Sequence, residues 1–147
     1  MKRHLIIAII VSFAISPAMA GTYTDALQTC FAENTTGKDR KEMARWVFIG
    51  MAAHPEIKRL SNASDNDREQ ADRNLANLFT RLLTETCRAE AKAATKYEGE
   101  QAFKAAFGSL GQLAMQEIMT DQGVTNSMSA FARYLDKKKL SEALGGE

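Results

Sequence analysis

Beyond residue 20 the chain carries two cysteines and one histidine, Cys30, Cys87 and His54, the first residues to weigh for nucleophilic, redox or zinc chemistry. Two thiols and one imidazole cannot complete a closed tetrahedral zinc site, which takes four ligands. A redox-active pair needs an exposed thiol of lowered pKa and usually a C-x-x-C spacing, and these two cysteines lie far apart. No nucleophile arrangement surrounds His54, which precedes Pro55 where a helix is expected to end; there an imidazolium would sit against the carbonyl end of the dipole. Asp65-Asn66-Asp67-Arg68-Glu69 has the look of a calcium loop, but Gln70 stands where the loop needs glycine and Ala76 where it needs glutamate. Acidic residues are numerous, yet no pair stands out for acid–base cleavage of a glycoside. The residues therefore predict no catalytic group, no cofactor and no metal, and a structural disulfide between Cys30 and Cys87.

That disulfide requires an oxidising compartment, and the first twenty residues supply the route to one. Lys2 and Arg3 are followed by an apolar run from Leu5 to Ser16, then Pro17 and the small-x-small pattern Ala18-Met19-Ala20. This is the plan of a cleavable export signal, too short for a membrane span, so residues 1–20 are expected to be removed near Ala20 with no membrane anchor afterwards. The expected location is periplasmic or secreted. Removing Lys2 and Arg3 leaves 17 basic against 18 acidic residues, a formal charge of −1. With no basic surplus, composition gives no source of attraction to nucleic acid or to an anionic membrane.

Residues 21–147 suit a single domain with one core. No stretch alternates as a half-buried strand does, and apolar residues recur at three and four, so the fold expected is all-α: a compact bundle of four to six helices with one disulfide. A first helix, Thr24 to Glu33, should bury Ala26, Leu27, Cys30 and Phe31. A second, Lys38 to His54, starts with a capping box from Thr36 to Asp39 and ends in Trp46, Val47, Phe48, Ile49 and Met51. Apolar residues surround that half, which predicts a central helix buried on several sides, with Gly50 allowing close approach. Trp46 is expected in the core. Pro55, Ile57 and Leu60 indicate a short turn. A third helix runs from a Ser64 cap through Leu75, Leu78, Phe79, Leu82, Leu83 and Cys87 toward Lys96, so the disulfide would tie helix one to helix three. A fourth holds Phe103, Ala106, Phe107, Leu110, Leu113, Ala114 and Ile118, its Gly108 and Gly111 suiting close contact. A fifth is capped by Thr125 and carries Met128, Phe131, Ala132 and Leu135.

The segment Asn34, Thr35, Thr36, Lys38, Arg40, Lys41 and Arg45 is the candidate partner surface. It puts more positive charge at a helix start than the positive end of the dipole favours, and that mismatch suits an acidic partner.

The run Asn34-Thr35-Thr36-Gly37-Lys38-Asp39-Arg40-Lys41, continued by Ala44-Arg45-Trp46 and His54-Pro55-Glu56, resembles a segment of small uncharacterised exported proteins of Gram-negative bacteria. The resemblance implies an envelope location and carries no activity or catalytic residue. More loosely, the plan of signal, short helical domain and one disulfide is similar to that of periplasmic immunity proteins and of small acid-stress chaperones. The function expected is non-enzymatic binding of a protein, a toxin or an envelope protein, as an immunity protein does. The alternatives are a stress chaperone or a hydrolase of envelope polymers. A spare apolar face would also serve a homodimer.

Overall fold

A computed structural model describes residues 21–145; the expected export signal lies outside them. Within this range eight α-helices occur and no strand. They are α1 (Thr22–Glu33), α2 (Gly37–Met51), α3 (Pro55–Lys58), α4 (Asp65–Arg81), α5 (Arg88–Glu98), α6 (Glu100–Ile118), α7 (Gln122–Ser129) and α8 (Lys137–Leu144). The bundle is made by five of them. α1 packs on α5 and α6, α2 packs on α4 and α6, and α5 packs on α6.

The central position belongs to α6, not to α2 as the sequence suggests. Ala102, Ala106, Leu110 and Ala114 form a stripe at steps of four that is almost wholly shielded from water, facing Leu27 and Phe31 of α1, Met43 of α2 and the buried Ala91 and Ala94 of α5. Alanine in three of those four places lets three neighbours reach one helix, while the larger Phe103 and Phe107 flank the stripe at its edges. Gly108 and Gly111 do not serve as contact points: a methyl at Gly108 would meet nothing within 4 Å, and one at Gly111 only the Met43 methyl at 3.7 Å.

Among the described residues the main cover of α2 consequently comes from α4 and α6. Met43, Ala44, Ile49 and Ala52 are buried, Trp46 and Val47 are half-buried, and Phe48, Gly50 and Met51 face outward. No chain approaches Gly50. Trp46 sits at the margin of the core, its indole N–H donating to Asp72 Oδ1 at 2.9 Å and its ring edge-on to Phe107. In α1, Ala26 is exposed while Leu27 and Phe31 are buried.

The long helix expected from Ser64 to Lys96 breaks in two. A wide π turn, Leu82–Thr86, lets the Cys87 amide donate to the Leu82 carbonyl five residues back, and Cys87 itself leaves helical geometry at φ −116° and ψ 28°. The two halves pack differently: α4 on α2, and α5 on α1 and α6. Cys87 is disulfide-bonded to Cys30, which pins this joint to α1.

Helix ends are secured locally and at long range. Capping boxes close α2 (Thr36 with Asp39) and α4 (Ser64 with Asp67), and the acidic run at Asp65 is a helix start, as its spacing suggests. His54 caps the following turn, not the preceding one: Nδ1 accepts from the Glu56 amide at 3.2 Å. α7 is capped by Asp121, whose Oδ1 accepts from the Val124 amide; the Thr125 hydroxyl donates to the Met119 carbonyl instead.

Gly21, at the start of α1, has no side chain to cap with, and Glu98 at the far end of α5 does it instead. Its carboxylate accepts from the Tyr23 amide at 3.0 Å, the Thr24 amide at 2.8 Å and the Thr24 hydroxyl. The hydroxyl bond first, then the two amides, hold its pKa below the ordinary glutamate value of 4.5 despite some desolvation. A carboxyl with a lowered folded pKa stabilises above its unfolded pKa and loses that contribution as pH falls through the folded one. Protection of the Tyr23 and Thr24 amides from hydrogen exchange is thus expected to hold at pH 5 and to collapse below pH 4.5. In Glu98→Gln protein it should already be reduced at pH 5 and follow no such titration; unchanged protection in that variant would remove Glu98 from this role.

Candidate functional site

The residues of the candidate partner surface come together around the start of α2, but the protein spends most of them on itself. Asn34 donates from Nδ2 to the Cys30 carbonyl at 2.9 Å, and its own carbonyl accepts from Arg81 Nη1 at 3.2 Å. Thr35 is buried and donates to the Phe31 carbonyl at 2.9 Å. Thr36 is the cap of α2. Arg40 Nε lies 3.4 Å from Glu117 Oε2, an ionic contact without hydrogen-bond alignment, and Lys41 Nζ lies 3.9 Å from Glu117 Oε1. Arg45 pairs with Asp67 at 3.2 Å. Lys38 stays exposed and acts on Asp39 through space.

These contacts account for the charge mismatch without an outside partner. Glu117, reaching from α6, stands beside Gly37 in the first turn of α2, so closely that a methyl at Gly37 would lie 3.0 Å from its Oε1. It supplies the negative charge that the helix end favours and also pairs with the two cations behind it. Asp39 adds a second carboxylate. Burial opposes its ionisation, but the Thr36 amide and hydroxyl, together with Arg81 and Lys38, outweigh this and hold its pKa below 3.8.

Between α2 and α4 the same region opens into a polar cleft of about 440 Å³, where Lys38, Glu42, Asn74, Asn77 and Arg81 converge. Its groups largely satisfy one another: Asn74 donates to Glu42 at 2.9 Å and Gln70 to Asn74 at 3.1 Å.

The surface with unmet needs is on the other side of α2. Phe48, Met51 and Met115 are 52%, 54% and 49% exposed, and with Val47 and Ile118 they line an apolar cleft of about 330 Å³ over Ala44. Lys41 and Arg45 form its rim. Sequence periodicity assigned Phe48 and Met51 to the core. The signal that could have reassigned them is the all-round apolarity of this half of α2, which exceeds what two neighbouring helices can cover. Among the described residues no group of three or more His, Cys, Asp or Glu side chains could hold a metal ion.

No protein-family model, no curated protein and no solved structure matches the chain.

Proposed function

We propose that this protein binds another protein without catalysing a reaction, in the periplasm or after secretion, and works by occluding its partner, as an immunity protein occludes a toxin. The observation that carries this reading is the apolar cleft between α2 and α6. Its phenylalanine, two methionines and bordering Arg45 are of residue types enriched at protein interfaces, and the exposure of the apolar three leaves area that a partner would remove from water. The Cys30–Cys87 bridge fits an oxidising compartment and the export signal fits the route there.

The test is a pull-down from envelope extract with the chain beginning at Gly21, followed by an activity assay on the recovered partner. One tight partner is expected, inhibited on binding, with an affinity about 30-fold lower for Phe48→Ala, the size of a central interface contact. No recovered partner, or a partner held equally well by Phe48→Ala and Met115→Ala, would overturn the reading.

A further inference from the structure

The segment from Gln122 to Leu144 follows the last bundle helix and holds none of the buried residues: among the described residues these all lie between Thr24 and Ala114. The main packing of α7 is on the 3₁₀ turn that continues it, Ala130–Tyr134, and only its start, at Val124 and Thr125, meets the end of the bundle. Yet the segment is not polar. Met128 and Phe131 lie three apart across α7 and the turn after it, Leu140 and Leu144 lie four apart in α8, and Phe131, Tyr134 and Leu144 are 64%, 79% and 81% exposed. An arm this apolar, left in water by its own fold, is built to be covered.

Its charge identifies the cover. Arg133, Lys137, Lys138 and Lys139 stand against Asp136 and Glu142, a net charge of +2 on a chain whose residues from Gly21 on sum to −1. Lys138 pairs with Glu142 and Lys139 with Asp136, while Arg133 lies over the Tyr134 ring. Cations beside exposed aromatic and aliphatic side chains form the pattern that settles in the headgroup region of a negatively charged bilayer, rings at the boundary and ammonium groups among the phosphates. A second copy of the chain is the weaker occupant, because two arms of net charge +2 packed face to face would bring like charges together. Among the described residues no helix is long and apolar enough to cross a membrane, so the arm would lie on the surface.

We infer that residues 122–144 are a peripheral docking arm for anionic lipid. The inference is independent of the occluding role, since it uses neither the cleft nor its partner. The chain beginning at Gly21, which keeps every described core residue, is tested by co-sedimentation with vesicles of phosphatidylcholine alone or mixed with phosphatidylglycerol. The protein is expected to pellet with the mixed vesicles and to be released on raising salt from about 0.1 M to about 0.5 M. The double variant Phe131→Ser/Tyr134→Ser should bind at least tenfold more weakly, and Lys137→Gln/Lys138→Gln should lose the preference for phosphatidylglycerol. All four positions are exposed and outside the core, so helical content serves as the control for folding. Failure to pellet with either vesicle, or pelleting unchanged in the double variants, would overturn the inference. So would dimerisation in lipid-free sedimentation abolished by Phe131→Ser/Tyr134→Ser, which would give the arm to a second copy.

Discussion

Replacing Cys30 and Cys87 together by alanine is expected to lower the free energy of unfolding by about 4 kcal/mol. The two residues are 57 apart in sequence, and closing a loop of that size removes about that much chain entropy from the unfolded state. Against the usual margin of about 5–15 kcal/mol this is a large share, and the variant should unfold at a much lower urea midpoint. The position of the bridge adds a second expectation. Because Cys87 is the point where the chain turns from α4 into α5, hydrogen exchange in Leu82–Thr86 should rise more than exchange in the middle of α6. Equal urea midpoints with and without the bridge would show that packing alone fixes the joint.

Phe31→Ala should cost about 3–5 kcal/mol, the range for emptying a large aromatic site in a core. The ring is almost wholly buried, meets Phe79 edge-on at a centroid distance of 5.9 Å, and begins a row that continues through the stacked pair of Phe79 and Phe107 to Trp46. That row bridges α1, α4, α6 and α2, so its loss acts on four helices at once. Urea titration with tryptophan fluorescence reads both the stability and, through Trp46, the far end of the row. A loss under about 1 kcal/mol would mean that the neighbouring rings close the space.

Much of the fold is legible in the residues because its determinants are local. Thr36 with Asp39 and Ser64 with Asp67 announce the starts of α2 and α4, Pro55 marks the short α3, and Leu27 with Phe31 is a stripe that finds cover. The disulfide follows from two cysteines on apolar faces. What stayed hidden depends on neighbours distant in sequence. Phe48 and Met51 look like core until it is known that, among the described helices, the main packing on α2 comes from α4 and α6. The break at Cys87 is invisible to a 3.6-residue period, since a wide turn shifts the register without changing which residue types are apolar. The cationic start of α2 reads as a call for an outside partner because its counter-charge, Glu117, arrives from α6. Glu98 at the start of α1 is the same case. The candidate cleft was therefore least legible of all: it exists where an expected neighbour is missing.

The bridge between Cys30 and Cys87 has a topological consequence. It makes a covalent ring of α2, α3 and α4, leaving α1 on one side and α5 to α8 on the other as tails. A protease that cuts the exposed stretch near Asn62 would nick this ring without releasing a fragment, and both pieces would migrate together until a reductant parted them.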